Sequence, residues 1–360
     1  MLFYFGLFIL LIAFSVGRLG SIKQKYLFMF VLLILYLLAT IRSLEIGNDT
    51  RAYYNLFEDI CRNHNLTYWS TRYEWGYLWL MEIVSHLTNN FWVFLAIINA
   101  IVYYAYYKFF ERYSINPVLS VFLFFALGSW GQTMNIIRLQ LALAMMIYAY
   151  FAKENRKKFL MVFFVILAVL FQRISIVYIL AFFIPRKVSK KMYLIFGVGA
   201  MGCYFFLPRI LGIATSIMPS LNHYLTSSTY VFGDVKLASI IGVLMRFSVF
   251  VFAFYVFTKN KDIINEEQTS LLSYQINLVY ISMFIMVVSL RFNLLDRCNY
   301  FFWTFAYLLI PNIIKLLKNR ENKGMVTVSL FGLCIAYFVI INVFRPEWNN
   351  IYPYTTVWFN

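Results

Sequence analysis

The sequence predicts an all-α, polytopic integral membrane protein, on composition, charge and the length of its apolar runs. Of its 360 residues, 62% are hydrophobic and 13% charged, and the mean hydropathy is +0.72. Soluble domains carry about 25% charged residues. The apolar runs here reach about 15 to 20 residues, enough for a helix to cross about 30 Å of hydrocarbon. Soluble enzyme folds, DNA-binding modules and disulfide scaffolds are therefore excluded.

The apolar runs end at polar or basic breaks and predict about twelve transmembrane helices, within a range of about 10 to 14. Residues 1–17 lack a basic start and a small-residue cleavage site, so they are predicted to be a retained first helix. Segments 118–131, 159–171 and 174–185 are short, so some are expected to be broken or re-entrant. The predicted spans are 1–17, 24–41, 91–110, 118–131, 133–152, 159–171, 174–185, 192–208, 237–257, 271–290, 298–316 and 325–343.

Basic residues assign the sides of the membrane, because lysine and arginine beside short loops stay in the cytoplasm. This rule predicts that both termini lie outside. It also requires 76–88 to lie along or dip into the outer surface without crossing. The clusters assigned to the cytoplasm are Arg18/Lys23/Lys25, Lys108/Arg112, Lys153/Arg156/Lys157/Lys158, Arg186/Lys187/Lys190/Lys191, Lys259/Lys261 and Lys315/Lys318/Arg320/Lys323.

In this topology the two basic residue types separate. Fourteen of fifteen lysines fall in the cytoplasm, whereas eleven of sixteen arginines are external or within the membrane. Guanidinium is suited to planar, bidentate recognition of phosphate or carboxylate, and a cation in an apolar span needs a partner. Pairing with nearby acids or snorkelling to the interface would also account for single arginines. As a set they outnumber the external acids, which predicts an outward-facing cavity for an anionic lipid headgroup such as a diphosphate.

Three external segments are predicted: 42–90 with an interfacial helix, 209–236, and the arginine segment 291–300. The first is rich in Tyr, Trp, Asn, Arg and acids, a composition suited to sugars, although an interfacial aromatic belt has the same composition. The net charge of +16 does not indicate nucleic acid in a membrane chain. Scattered cysteines and the distant histidines His64, His86 and His223 predict no metal site, no disulfide framework and no cofactor.

Several motifs, in order along 42–311, together resemble the EpsG family of Wzy-like bacterial polysaccharide polymerases. Each motif is weak alone, and their order and spacing carry the resemblance. One departure is Gln172, where the family usually has histidine, so the general base is left open. The matching pieces are Ile46-Gly47-Asn48-Asp49-Thr50 with Tyr53/Tyr54, Glu74-Trp75-Gly76-Tyr77, Ile137-Arg138-Leu139-Gln140-Leu141-Ala142, Phe171-Gln172-Arg173-Ile174-Ser175, and Arg297 with Tyr300 ahead of Pro311.

The resemblance implies a glycosyltransferase of the bacterial cytoplasmic membrane with its active site facing outward. Such a protein joins undecaprenyl-diphosphate-linked oligosaccharide repeat units into O-antigen, capsule or exopolysaccharide of the cell envelope. No metal is required if arginines stabilise the departing diphosphate. A flippase or exporter of the lipid-linked oligosaccharide and a related glycan ligase are the alternatives. The sequence leaves open the sugars, the linkage, the oligomeric state and whether a chain-length regulator binds.

The candidate site residues follow from this chemistry. The predicted diphosphate clamp is formed by arginines, and a carboxylate is expected to accept the proton of the attacking hydroxyl. Asp49 has the alternative role of capping a helix, and Glu74 that of pairing with Arg72. The predicted catalytic residues are Arg138, Arg173, Arg291, Arg297, Asp49 and Glu74. The predicted substrate-binding residues are Arg51, Arg72, Tyr53, Gln172, Asp296 and Tyr300.

Overall fold

The computed structural model describes residues 1–17, 21–217 and 237–358. These ranges contain helices and an isolated antiparallel bridge between Arg42 and Thr356, without a strand. The α-helices are α1 (Leu2–Val16), α2 (Ser21–Thr40), α3 (Thr50–Asn63), α4 (Leu66–Trp69), α5 (Trp75–Ser85), α6 (Phe91–Tyr113), α7 (Pro117–Ala126), α8 (Ser129–Asn135), α9 (Ile137–Glu154), α10 (Lys158–Phe171), α11 (Lys190–Ile217), α12 (Leu237–Asn260), α13 (Glu266–Ser289), α14 (Tyr300–Thr304), α15 (Ala306–Lys315) and α16 (Arg320–Phe344). The 3-10 segments are Arg173–Phe183, Lys261–Ile263, Asn293–Cys298 and Pro346–Trp348.

Six of the described helices are long and apolar enough to cross a membrane, so the prediction of a polytopic helical membrane protein is confirmed. A seventh span results if α7 and α8, bent by 60° at a short break, are counted as one. The full count of twelve and the side on which each loop lies remain predictions. The six candidates are Lys23–Thr40, Phe91–Tyr113, Lys190–Ile213, Ser239–Ile263, Glu266–Ser289 and Arg320–Phe344.

The short predicted spans are the irregular ones. Segment 118–131 is broken between α7 and α8, segment 159–171 is the 14-residue α10, and segment 174–185 is mostly 3-10 helix. The stretch predicted not to cross holds α5, whose 11 residues span about 16 Å at 1.5 Å per residue. That is about half of the hydrocarbon thickness.

Helix α11 is longer than predicted. It continues through Pro208 to Ile217, so the first part of the predicted loop 209–236 is helical. The rest of that loop, 218–236, lies outside the described residues.

Asparagine side chains start several helices. Asn90, Asn116, Asn265 and Asn319 each accept a hydrogen bond from a backbone N–H in the first turn that follows. These bonds satisfy N–H groups that have no partner inside the helix. The starts of α6, α7, α13 and α16 are therefore set by local sequence.

The chain divides into two compact units, 1–179 with 319–360, and 180–318. In the first unit, α9 packs against α6 and α10. The hydroxyl of Tyr106 donates to Gln140 Oε1 at 3.2 Å, which links α6 to α9. In the second unit, α13 packs against α11, α12 and α15. Polar bonds of this kind add specificity to helix packing in a membrane, where apolar contact alone discriminates little.

The C-terminal tail packs back on the segment that follows α2. Ser43 N donates to Thr355 O at 3.0 Å, and Val357 N donates to Ile41 O at 2.9 Å. Gly47 N donates to Asn350 O at 2.9 Å. These bonds fasten the start of the predicted external segment 42–90 within the first unit.

Candidate functional site

Arg138 is the centre of the candidate site in the first unit. It lies in the first turn of α9, and its Nη1 forms an ion pair with Glu74 Oε2. The two side chains are 17% and 11% exposed, so the pair is largely desolvated but retains an opening. A positive side chain at a helix N-terminus is opposed by the helix dipole, and Glu74 compensates for that cost.

Glu74 is held by two elements at once. It is the N-cap residue of α5, and its Oε1 accepts a hydrogen bond from the backbone N–H of Arg173 at 3.3 Å. Gly76 explains why α5 can come so close to α10, because a Cβ at this position would lie 2.8 Å from Leu170 O. The Glu74-Trp75-Gly76-Tyr77 motif therefore combines the ion-pair partner with the contact that positions it.

Three tyrosines surround the Arg138 guanidinium. Its Nε donates to Tyr53 Oη at 3.3 Å, and its Cζ lies 4.8 Å from the centroid of the Tyr73 ring. Burial raises the pKa of Tyr53, and the positive charge of Arg138 acts against this rise. The Tyr77 ring meets the Tyr53 ring edge to face, and its buried hydroxyl has no hydrogen-bond partner among the described residues. Neutral phenols thus offer polar atoms beside the cation.

Arg173 and Gln172 lie at the junction between α10 and the 3-10 segment Arg173–Phe183. Gln172 has extended backbone angles, which end α10 and turn the chain toward Glu74. The Arg173 side chain is exposed, and its guanidinium has no ion-pair partner within the described ranges. The junction thus brings the backbone of Arg173 to the Arg138–Glu74 pair and leaves the Arg173 guanidinium exposed.

Asp49 occupies the N-cap position of α3, but its side chain makes no capping hydrogen bond. Its carboxylate also has no ion pair among the residues that the structure describes, while its charge raises the pKa of Tyr53 one turn away. Side-chain capping, the alternative role predicted for Asp49, is thus not made. The carboxylate is available to accept a proton close to the Tyr53–Arg138 contact.

The turn before α3 is held by contacts of Gly47 and Arg42 with Met134 of α8. Gly47 has a φ of +84°, and a Cβ there would clash with Met134 O, so only glycine fits. The fully buried Arg42 donates from Nη2 to Met134 O at 3.3 Å and from Nε to Thr50 Oγ1 at 3.4 Å. Burial lowers the pKa of Arg42 to about 10, so it remains charged at neutral pH. Arg42 therefore supports the turn that carries Asp49.

Arg51 and Arg72 lie at the edge of this unit. Arg51 pairs with Glu45, and both side chains are more than 60% exposed. Arg72 lies over the Tyr73 ring at 5.6 Å, and Glu74 pairs with Arg138 instead of with Arg72. Tyr73 therefore contacts two arginines, a role that its position in the sequence did not reveal because it lies outside the motifs.

The remaining predicted site residues lie in the second unit. The Tyr300 hydroxyl donates to Asp296 Oδ2 at 3.1 Å. Burial raises the pKa of Asp296, and the charges of Arg246 and Arg297 act against this rise. Arg246 is 6% exposed, lies 4.6 Å over the Trp303 ring and donates to Gly242 O at 2.9 Å. Asp296 thus has two positive side chains and a phenol in its surroundings.

Arg291 has a contact that the sequence analysis did not anticipate. Its Nη1 donates to Tyr204 O at 3.0 Å and to Phe205 O at 3.4 Å. Pro208 lacks the N–H that would otherwise bond to Tyr204 O in α11. Arg291 therefore satisfies a carbonyl that proline leaves unpaired, which is a structural role beside its predicted role in the phosphate clamp.

The class of protein is now defined: a polytopic helical membrane protein with a partly desolvated arginine–carboxylate pair, surrounded by phenols, next to an exposed arginine. The model of the EpsG family matches residues 25–356, and the chain belongs to that family. The family resemblance drawn from the motifs is thus confirmed, and it supports a polysaccharide-polymerase role of the glycosyltransferase type. Searches of curated proteins and of solved structures found no match to this chain.

Proposed function

We propose that this protein joins lipid-diphosphate-linked oligosaccharide repeat units on the outer face of the cytoplasmic membrane. The lipid carrier proposed is undecaprenyl diphosphate. The observation that carries the proposal is the Arg138 site, in which a guanidinium is bonded to Glu74 and Tyr53 in a largely desolvated, tyrosine-lined site that retains an opening. The exposed Arg173 side chain supplies a second cation at the same junction.

The reaction breaks the bond between the anomeric carbon of the donor sugar and its diphosphate oxygen. A hydroxyl of the acceptor unit forms the new bond to that carbon, and the lipid diphosphate leaves with the bonding electron pair. Arg138 and Arg173 would stabilise the negative charge that develops on the leaving oxygen. Fixed cations in a water-poor site are effective at this task, since they need no reorganisation during the reaction.

The acceptor hydroxyl must lose a proton, and Asp49 is the carboxylate that the geometry favours as acceptor. Both oxygens of Glu74 are already bonded, to Arg138 and to the backbone of Arg173. Asp49 has neither an ion pair nor a capping bond among the described residues. Glu74 is accordingly proposed to position Arg138, while Asp49 serves as general base.

The test is the size distribution of surface glycan on a gel. It compares the producing strain, a deletion strain, and deletion strains that carry either the wild-type chain or Arg138→Ala. We expect the wild-type chain to restore the ladder and Arg138→Ala to leave single repeat units on the surface. Membrane levels of the variant, measured by immunoblot, control for loss of the protein.

Two other outcomes would contradict the proposal. Loss of all surface glycan, with lipid-linked units accumulating inside the cell, would indicate a flippase. A normal ladder in the deletion strain would exclude the chain from glycan assembly.

A further inference from the structure

Two of the three histidines meet at one carboxylate in the first unit, although the sequence analysis predicted no metal site. His64 Nδ1 lies 2.9 Å and His86 Nε2 lies 3.3 Å from Glu82 Oε1. The two imidazole rings are nearly parallel, with centroids 5.1 Å apart and planes inclined by 12°. All three donor atoms lie within 4.8 Å of one another.

Local structure explains the convergence. Glu82 and His86 are four residues apart at the end of α5, so they lie on one face of the helix. His64 is the C-cap residue of α3 in the left-handed conformation, with φ of 49°. Helix α3 packs against α5, and the turn that ends α3 therefore brings His64 over Glu82.

We propose that His64, Glu82 and His86 bind a divalent transition-metal ion of the Zn²⁺ class. Two imidazoles and one carboxylate form a ligand set used for zinc, with a fourth position left for water or another ligand. Bonds of about 2.0 to 2.2 Å in tetrahedral geometry place neighbouring ligand atoms about 3.3 to 3.5 Å apart. The observed separations from Glu82 Oε1 differ from this range by at most about half an ångström.

Access and charge agree with a metal ion. The His64 and His86 side chains are 45% and 64% exposed, whereas Glu82 is 21% exposed. An ion can therefore enter from the histidine side and reach the less exposed carboxylate. Glu82 Oε2 is buried and has no hydrogen-bond partner among the described residues, which leaves negative charge at the site for a cation to neutralise.

The ion would fasten the end of α3 to the end of α5. The other end of α5 carries Glu74, the partner of Arg138. The metal ion would thus stabilise the helix that positions the Arg138 site without touching it. Metal binding at this cluster does not depend on the proposed polymerase reaction.

Metal binding is tested on the full-length protein in detergent, purified with a tag that contains no histidine. After chelator treatment, Zn²⁺ is titrated by calorimetry, and Co²⁺ is added to record the visible absorption of a tetrahedral site. We expect one ion per chain, with affinity at least about tenfold weaker in His64→Gln, His86→Gln and Glu82→Gln. His223→Gln and Cys203→Ser, which removes an exposed thiol of α11, are the controls and should bind as the wild type does.

Size-exclusion profiles and helical circular dichroism verify that each variant is folded. Wild-type protein that binds neither ion, or a folded His64→Gln/His86→Gln variant that binds Zn²⁺ as tightly as wild type, would overturn the proposal. The cluster would then be a hydrogen-bonded link between the two helices. A rise in the thermal midpoint of the wild-type protein with Zn²⁺, absent from the double variant, would support the proposed metal site.

Discussion

Arg138 and Arg291 were both predicted to bind phosphate, yet the structure gives them different surroundings. Both lie over an aromatic ring, but Arg138, in the first unit, has a carboxylate and a phenol as hydrogen-bond partners. Arg291, in the second unit, donates to two backbone carbonyls beside Pro208. An arginine that satisfies carbonyls completes a fold, whereas one held by a carboxylate in a partly open site can also receive an anion. The type of partner is thus more informative than the presence of the arginine.

The same comparison applies within the first unit. Arg42 is fully buried and donates to the carbonyl of Met134 and the hydroxyl of Thr50. Arg138 follows Met134 across the break between α8 and α9, and its side chain is 17% exposed. We infer that Arg42 maintains the turn before α3 and that Arg138 faces substrate.

The largest expected effect is that of Asp49→Asn. Removal of a general base lowers the rate by about 10² to 10⁴, while the fold is retained because the Asp49 side chain makes no cap bond. Polymer formed per minute by purified protein is the measurement, with the thermal midpoint as control. A loss of rate of less than about threefold is far smaller than the loss expected for removal of a general base. That result would show that Asp49 is not the general base.

The Arg138–Glu74 pair should be separable into a stability effect and an activity effect. Glu74→Leu leaves a buried cation without its partner, at an expected cost of about 3 to 5 kcal/mol. Arg138→Met combined with Glu74→Leu should recover most of that stability but remain inactive. Thermal unfolding in detergent and the glycan ladder measure the two properties. Activity in the double variant would show that Arg138 is not required.

Gly76→Ala tests the close approach of α5 to α10. The new Cβ would meet Leu170 O at 2.8 Å, so the helices must separate, at about 1 to 3 kcal/mol. We expect a lower thermal midpoint together with a weaker ladder, because Glu74 moves away from the Arg173 N–H. Gly6→Ala is the matched control, since a Cβ there has no neighbour within 4 Å.

Arg291 and Pro208 form a pair for a double-mutant cycle in the second unit. Arg291→Gln should destabilise the protein by about 1.5 to 3 kcal/mol, the range for a hydrogen bond to a charged group. The loss should be smaller when Pro208→Ala is also present, because alanine supplies the N–H that Tyr204 O lacks. Thermal midpoints of the four proteins give the coupling. Strictly additive effects would refute the structural role of Arg291.

Sequence reasoning was most successful where the physical signal is local. The length of the apolar runs predicted the helices. Two of the runs that were short for a full crossing correspond to the broken α7–α8 pair and to the 3-10 segment after α10. The motif around Gly76 was recognised, but its reason lies in contact with Leu170. Long-range contacts were not readable: neither the Glu74–Arg138 pair nor the meeting of His64 and His86 follows from spacing along the chain.

The most direct test of the central claim is turnover by the purified protein with lipid-diphosphate-linked repeat units, comparing wild type, Arg138→Lys and Arg62→Lys. Lysine keeps the charge but loses the planar fork. Arg62, in the last turn of α3, pairs with Glu58 and has a side chain that is 74% exposed, and such a surface pair contributes about 0 to 1 kcal/mol. We predict at least about a tenfold loss of polymer for Arg138→Lys and near-normal turnover for Arg62→Lys. Equal turnover in all three would contradict the assignment of Arg138 as the diphosphate-binding residue.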